Sequence, residues 1–302
     1  PNDKLKIEIV KKIISDVKKN RDQSLVKYEK KFSKFKKLSK NNLVFSKSEI
    51  NKIIKQLDKK TKRSINIAFK RIYNFHKNQK FKDFKILDNY RNSLSYRSMP
   101  LEKIGVYVPG GTANYPSSVL MNCIPAIVAG VKEIYVTVPC VGKKINPGVL
   151  YAAQKCKVKK IYKLGGAQAI AAFAYGTQTI NKVDKIVGPG NEYVALAKKE
   201  VFGEVGIDMF AGPSEVTIIA DKYSNPDWIA ADLIAQAEHD AMSQSILITD
   251  DKKTIMKVKK ALGSQIKFLP KKRIAMKSLK KFGVAVLAKN SSEISNIVNK
   301  IA

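Results

Sequence analysis

Apolar side chains recur every three or four positions through the first hundred residues, a spacing that predicts amphipathic helices with one buried face. The positions concerned are Ile9, Ile13, Val17, Ile50, Ile53, Ile54, Leu57, Ile65, Ala68, Ile72 and Phe75. Residues 1 to about 100 are therefore predicted to form a helical region, with one helix between Lys60 and Lys80. We interpret His76, at the end of that helix, as a surface or packing histidine.

From Ile104 to about Ala211, short runs rich in β-branched and aromatic residues alternate with apolar stretches long enough for crossover helices. The runs IGVYVP, EIYVTVP, KKIYKL and DKIV are predicted strands. The stretches between them are SSVLMNCIPAIVAGV, NPGVLYAAQKC and GAQAIAAFAYG. Alternation of this kind predicts a parallel sheet with helices on both faces.

Glycine or proline follows nearly every one of these strands, as in 109–111, Pro139, 165–166 and 188–190. The carboxyl ends of strands in open α/β sheets form the ligand crevice, so the four ends predict a site for an extended, phosphorylated ligand. Each glycine turn taken singly is as well explained by a tight turn as by a ligand contact. The fingerprint GxGxxG of standard dinucleotide-binding domains is absent from the sequence.

Residues 212–302 contain a second alternating pattern of strands and helices. The predicted elements are the strand EVTIIAD, a helix from Pro226 to about Met242, the strand SILITD, a helix, the strand GVAVLA and a helical segment from Ser291. This order predicts a second α/β unit.

The net charge of +32 does not indicate nucleic-acid recognition. Only six of the 57 basic residues are arginine, whereas base and phosphate readers rely on the bidentate arginine fork. We therefore expect no specific binding to nucleic acid. No apolar run approaches the roughly 20 residues that cross a bilayer, so no membrane association is expected. The three cysteines lack CxxC spacing, which favours a reducing cytoplasm.

Five strings occur in an order that closely resembles the histidinol dehydrogenase family: YVPGGTANYPSSVLMN, GGAQAIAA, KIVGPGNEYVALAKK, GIDMFAGPSEV and DLIAQAEHD. The resemblance is dense over residues 85–245. It implies an α/β fold of two Rossmann-like parallel-sheet domains, one inserted in the other, with a helical N-terminal region. The resemblance implies that residues 105–211 form the inserted NAD-binding domain. Residues 1–104 and 212–302 would together form the discontinuous domain. It also implies a homodimer that uses zinc (Zn2+) and NAD.

The reaction implied by the resemblance is the last step of histidine biosynthesis. L-histidinol, two NAD and water would give L-histidine and two NADH through an enzyme-held aldehyde. The family's NAD contacts correspond to Tyr107, Gln168 and Asn191, and its substrate-contacting serine corresponds to Ser214. Gln168 and Asn191 each stand at a predicted helix start, where unpaired N–H groups favour phosphate.

The same resemblance makes Gln236 and His239 zinc ligands that also contact the substrate. Three residues apart on one predicted helix, they project from the same face. Glu238 lies between them and points off that face, and it is interpreted either as a support for the ligands or as structural. Imidazole is a common zinc ligand, and an amide oxygen is an unusual but feasible one. A covalent route through Cys123 is not expected, because its predicted helix is apolar and no basic residue lies close to it in the sequence.

No catalytic residue is assigned within the chain. The acid–base Glu-His pair and the two remaining zinc ligands of the family are expected beyond residue 302, so the 302-residue chain is expected to be inactive alone. The alternative is a non-catalytic binding or assembly module that keeps the NAD crevice. A reading frame that continues into Pro-Glu-His would favour the enzyme, and a stop codon would favour the module.

Overall fold

A computed structural model describes residues 2–33, 35, 37–110, 115–140, 145–209 and 214–301. Their contacts divide the chain into two units, Pro1–Phe210 and Ala211–Ala302. The division falls beside the predicted boundary between residues 211 and 212. The first unit takes in residues 1–104, which the sequence analysis joined to 212–302, and that discontinuous arrangement stays a prediction.

The first unit is built around a five-stranded parallel sheet with the strand order β5-β4-β3-β6-β7. Its strands are β3 (Lys103–Tyr107), β4 (Glu133–Thr137), β5 (Lys160–Tyr162), β6 (Lys185–Val187) and β7 (Gly206–Ile207). The connecting helices are α5 (Pro116–Ala129), α6 (Pro147–Lys155), α7 (Gly166–Tyr175) and α8 (Glu192–Val201). The predicted parallel sheet is confirmed; β7, two residues long, was not predicted.

The direction of the chain reverses within this sheet. The crossovers through α5 and α6 lead from β3 outward to β5, whereas α7 returns to β6 on the other side of β3. Right-handed crossovers then place α5 and α6 on one face of the sheet and α7 on the other. This reversal opens a crevice at the carboxyl ends of the strands around β3.

Four helices precede the sheet: α1 (Asn2–Asn20), α2 (Asp22–Phe32), α3 (Lys47–Ile54) and α4 (Lys59–His76). Helix α1 packs on α7 and α8, α2 on α7, and α4 on α5. The apolar positions of the sequence pattern account for this packing, since Ile13, Val17 and Ile65 are buried in the core of the unit. The four helices therefore cover the helices of the sheet.

A β-hairpin between α4 and the sheet was not predicted, because residues 1 to about 100 were interpreted as helical. Strands β1 (Phe84–Leu87) and β2 (Ser93–Tyr96) pair antiparallel. Their turn is closed by Asp88, whose Oδ1 accepts hydrogen bonds from the N–H groups of Tyr90 and Asn92. This local bonding of an aspartate side chain to the backbone favours a turn over a helix.

The second unit holds a three-stranded parallel sheet with the order β10-β9-β8. It contains β8 (Glu215–Ala220), α9 (Pro226–Ala237), β9 (Gln244–Thr249), α10 (Lys252–Gln265), α11 (Lys272–Phe282), β10 (Gly283–Leu287) and α12 (Ser291–Ile301). The predicted strands are confirmed, but two helices stand where one was predicted between β9 and β10. No described helix is long and apolar enough to span a membrane.

Helix α9 is shorter than predicted, because it ends at Ala237 and not near Met242. The backbone N–H of Glu238 still bonds to the carbonyl of Ile234, and the chain then enters a turn around Asp240. The side-chain carboxylate of Asp240 accepts a hydrogen bond from the Met242 N–H, and the backbone carbonyl of Asp240 accepts one from the Ser243 N–H. These short-range bonds compete with continuation of the helix, so His239 lies outside it.

Candidate functional site

A cavity of about 700 Å³ lies in the first unit at the carboxyl ends of the strands. Its volume is in the range that holds small ligands and cofactors, about 300–1,000 Å³. The sheet side contributes Tyr107, Gly110, Pro139, Gly165, Gly166, Ala167, Gln168, Asn191 and Tyr193, and α1 and α2 with the following Ser33 contribute Ile9, Lys12, Ile13, Lys27, Tyr28, Lys31, Phe32 and Ser33. The three predicted NAD-contacting residues are thus brought to one cavity.

The glycines on the sheet side allow neighbouring turns to touch. A Cβ atom on Gly165 would lie 2.5 Å from the Pro139 Cβ, and one on Gly110 would lie 2.6 Å from the Pro139 Cγ. Any side chain at either position would push the strand ends apart. Gly188 adopts a φ of +108°, which L-residues with a side chain rarely reach. Turn packing accounts for these three glycines; Gly111 lies outside the described residues.

Gln168 is buried at the start of α7, and its side-chain amide contacts a carboxylate from another helix. Its Nε2 donates to Glu29 Oε1 at 2.8 Å, and the backbone N–H of Gly165 donates to the same oxygen at 2.7 Å. The Ser33 hydroxyl donates to Glu29 Oε2 at 2.6 Å. The Gln168 Oε1 is buried and, within the part of the chain that the structure describes, has no hydrogen-bond partner.

Tyr107 ends β3 and is buried, with its phenol oxygen accepting a hydrogen bond from the Gly166 N–H at 3.0 Å. Burial raises the pKa of this phenol to about 12, so the hydroxyl is neutral at physiological pH. The N–H groups at the start of the helix that holds Gln168 were expected to favour phosphate. Those of Gly165 and Gly166 already donate hydrogen bonds within the protein, and for the other N–H groups of this first turn the expectation stays a prediction.

Asn191 is the N-cap residue of α8. Its side-chain oxygen accepts from the Val194 N–H at 3.2 Å, which satisfies one of the free donors of the helix. The carboxamide nitrogen of an asparagine that caps in this way is still available as a donor. Asn191 lines the cavity, so this nitrogen is a candidate donor to a bound ligand.

A buried lysine supports the turn before Asn191. Lys198 Nζ donates to the Gly188 carbonyl at 2.5 Å and to Asp208 Oδ1 at 2.7 Å, and the Gly188 N–H donates to Asp208 Oδ2 at 2.7 Å. The Lys198 side chain is 5% exposed. The turn 188–190 is thus held from both sides by one ion pair.

The remaining predicted site residues lie in the second unit. Ser214 is exposed just before β8. Gln236 is half-buried near the end of α9, with its Nε2 3.4 Å from the Ser243 hydroxyl, and His239 is exposed in the following turn. The predicted helix does not reach His239, because α9 ends at Ala237; the His239 N–H still donates to the Gln236 carbonyl at 3.2 Å. Their assignment as zinc ligands stays a prediction.

Among the described residues no group of three or more His, Cys, Asp or Glu side chains is placed to hold a metal ion. Structural and catalytic zinc sites use three or four protein ligands. Gln236 and His239 can therefore supply at most part of a zinc site.

The cysteines are poor candidates for a nucleophile, as predicted for Cys123. All three are buried. A hydrogen bond with Cys156, together with burial, raises the pKa of the Cys123 thiol, and burial raises that of Cys140 to about 12. A thiolate is therefore disfavoured at both positions.

Sequence reasoning missed the contribution of α1 and α2 to the cavity, above all Glu29. One signal was present: Glu29 stands four residues after Leu25 and next to Tyr28, on the face of α2 that buries these apolar side chains. A carboxylate on a buried helix face needs partners. The sequence gives no indication of which partners these are.

The chain matches the family described as histidinol dehydrogenase over residues 2–302. It is 55% identical over 293 residues to the histidinol dehydrogenase of Pelagibacter ubique (strain HTCC1062), covering 96% of this chain and 67% of that protein. It is 48% identical to that of Rhodopseudomonas palustris, with 96% and 67% covered. The solved structure of histidinol dehydrogenase from Elizabethkingia anophelis aligns with a TM-score of 0.92 at 39% identity, covering 98% of this chain and 68% of that one.

Proposed function

This chain belongs to the histidinol dehydrogenase family, and we propose that it serves the oxidation of L-histidinol to L-histidine, the last step of histidine biosynthesis. The observation that carries the proposal is the family match along residues 2–302. The substrate is accordingly a small molecule. The chain spans about two thirds of the length of the relatives it matches, 67% in the first two cases.

We propose NAD as the oxidant, bound in the cavity of the first unit. The residues present fit a dinucleotide in three respects. The cavity has room for a cofactor, it is lined by Tyr107, Tyr28 and Phe32 as apolar and aromatic surface, and it contains the buried, unpartnered Gln168 Oε1. A bound ligand with a hydrogen-bond donor would satisfy that oxygen.

The side chains of the cavity would bind and orient the cofactor. NAD, when bound, supplies the acceptor for the hydride that leaves the carbinol carbon of the substrate. Gln168 offers an acceptor oxygen, Asn191 offers donor N–H groups, and the neutral Tyr107 hydroxyl can donate while it accepts from Gly166. Lys12 and Lys31, on the helical wall, add positive charge that favours the phosphates.

In the second unit, Gln236 and His239 are proposed to contribute to a zinc site and Ser214 to substrate binding. These assignments rest on the family resemblance of the strings that contain them. The described residues offer two ligands and not a complete set, so no reaction step is derived through zinc. The homodimer is likewise proposed from the family resemblance. The cytoplasmic location is proposed from the cysteine pattern, and the absence of specific nucleic-acid binding from the low arginine content.

The test is NADH formation from L-histidinol by the protein that carries this sequence, supplied with zinc and NAD. Two NADH per histidinol consumed are expected, because alcohol and aldehyde are oxidised in turn. A yield of one NADH would mean that oxidation stops at the aldehyde. Binding of NAD without any NADH would contradict the proposal and favour the non-catalytic binding module.

A further inference from the structure

The polarity of the Gln168 side-chain amide is determined by Glu29. The carboxylate oxygen Glu29 Oε1 already accepts the Gly165 N–H, and the Gln168 Nε2 donates to that same oxygen. Rotating the amide by half a turn would place the Gln168 oxygen against Glu29 Oε1, two acceptors in contact. The Gln168 Nε2 therefore faces Glu29, and the Gln168 Oε1 points away from it.

This orientation holds for ionised Glu29 and for Glu29 that carries a proton on Oε2. The second oxygen, Glu29 Oε2, faces the Ser33 hydroxyl at 2.6 Å, and a hydroxyl can either donate or accept. A proton on Glu29 Oε2 can be donated to the Ser33 hydroxyl, and Oε1 then remains an acceptor for its two N–H donors.

The Gln168 Oε1 is consequently a buried acceptor that no described protein group satisfies. The Gln168 side chain is 2% exposed and lines the cavity proposed for NAD. Buried polar groups in native proteins nearly always find a partner, often a ligand or an ordered water. We therefore expect the ligand that binds in this cavity to donate a hydrogen bond to the Gln168 Oε1.

The same corner of the cavity is poorly suited to a phosphate. Two of the N–H groups that a phosphate oxygen could use here, those of Gly165 and Gly166, are engaged with Glu29 and Tyr107. The Gln168 oxygen would itself repel an anionic oxygen. Positive charge lies instead on Lys12 and Lys31 of the helical wall, which have no carboxylate partner among the described side chains.

We propose that Glu29 is a positioning residue that holds the Gln168 amide so that its oxygen accepts a hydrogen bond from an uncharged N–H or O–H donor of the dinucleotide. The donor is a ribose hydroxyl or an amino group of the carboxamide or the adenine, and not a phosphate. This inference rests on the proposed function, in which NAD occupies the cavity.

The closing experiment measures NAD binding by isothermal titration calorimetry, without turnover. Gln168→Met keeps the length of the side chain and removes its oxygen, and Gln154→Met, on the exposed face of α6, is the control. Loss of one buried hydrogen bond to the ligand should weaken binding by about tenfold. The control variant should bind NAD as the unaltered protein does.

Dinucleotides that each lack one donor identify the partner atom. Suitable probes replace the carboxamide by an acetyl group, the adenine by hypoxanthine, or either ribose by its 2′-deoxy or 3′-deoxy form. The probe that lacks the partner donor should bind to the unaltered protein about tenfold more weakly than NAD does. Its affinity should not fall further in the Gln168→Met variant, because the hydrogen bond is already missing. The other probes should lose that same factor in the variant.

Substitutions of Glu29 distinguish a role in orienting the Gln168 amide from a role in stabilising the fold alone. Glu29→Gln keeps an oxygen that can accept from Gly165 and Gln168, and should retain both NAD affinity and the discrimination between probes. Glu29→Met removes that oxygen and should abolish the discrimination. Retained discrimination in folded Glu29→Met would overturn the role of Glu29.

The outcomes for this inference and for the proposed function are distinct. If the unaltered protein does not bind NAD, the cofactor proposal fails and the inference fails with it. If NAD binds but Gln168→Met binds it equally well, only the inference is overturned. Should Gln168→Met fail to fold, the probes decide alone, because equal affinity for NAD and every donor-deleted probe would refute the inference.

Discussion

The Glu29 carboxylate accepts a hydrogen bond at 2.8 Å from the side-chain amide of Gln168, a residue 139 positions away in the chain. The contact joins α2 to the first turn of α7 at the edge of the cavity. Glu29 is fully buried, and its partners Ser33, Gly165 and Gln168 are hydrogen-bond donors without formal charge. Its protonation is therefore coupled to the stability of the first unit.

Stability should depend on pH through Glu29. Burial raises its pKa above the ordinary value of 4.5, with the hydrogen bonds from Ser33, Gly165 and Gln168 opposing the shift. A raised pKa means that the folded state binds the proton more tightly than the unfolded state. The resulting stabilisation is present in full below pH 4.5 and is lost as the pH rises through the folded-state pKa.

Glu29→Gln cannot ionise, so the variant should lack this pH dependence. Its free energy of unfolding should rise relative to that of the unaltered protein as the pH increases above 4.5. Urea unfolding at a series of pH values measures the difference. Glu8→Gln, on the exposed face of α1, is the matched control. Parallel pH curves for Glu29→Gln and the unaltered protein would contradict the prediction.

Tyr107→Phe should destabilise the first unit by about 1–2 kcal/mol, because the Gly166 N–H loses its acceptor in a buried site. The measurement is the urea midpoint at constant slope. Tyr223→Phe, at a side chain that is 83% exposed, should leave the midpoint unchanged. An unchanged midpoint for Tyr107→Phe would mean that water replaces the phenol at no cost.

Lys198→Met should destabilise the first unit by about 2–3 kcal/mol, since it leaves Asp208 and the Gly188 carbonyl without their cation. The estimate lies below that for a fully buried pair because the Asp208 side chain is 28% exposed. Lys199→Met, at an exposed position on the same helix, is the control. In a double-mutant cycle, Asp208→Asn should cost less in the Lys198→Met background, and additive effects would argue against coupling.

His239→Asn should lower zinc content and histidinol-dependent NADH formation together in the protein that carries this sequence. Changes around metal ligands cost about 10–100-fold in affinity or activity, and loss of a ligand should cost at least as much. The number of zinc ions per chain is measured by inductively coupled plasma mass spectrometry. The control is His76→Asn, at the other histidine of the sequence. The His76 side chain is hydrogen-bonded to Gln79 at the end of α4 and is not assigned to the zinc site. Full zinc and full turnover in His239→Asn would remove the ligand assignment.

The local pattern of the sequence was sufficient for the strands of the two parallel sheets except β7, and for most helices. Runs such as EIYVTVP and SILITD have few alternatives to a buried parallel strand, because their apolar and β-branched residues leave no polar face. The boundaries of α9 and the hairpin Phe84–Tyr96 were missed for the opposite reason. There, the side chains of Asp240 and Asp88 bond to nearby backbone groups and outweigh the apolar spacing.

The sequence by itself determined which residues stand at the strand ends, because strand, turn and helix propensities act over a few neighbouring positions. It thereby placed Tyr107 and Gln168 next to glycine turns on one edge of a sheet. Only the tertiary structure decided that Glu29 reaches that edge, that it takes up the Gly165 N–H and that it orients the Gln168 amide. Such a contact depends on the packing of α2 against α7, and no local propensity encodes the packing of two segments so far apart in the chain.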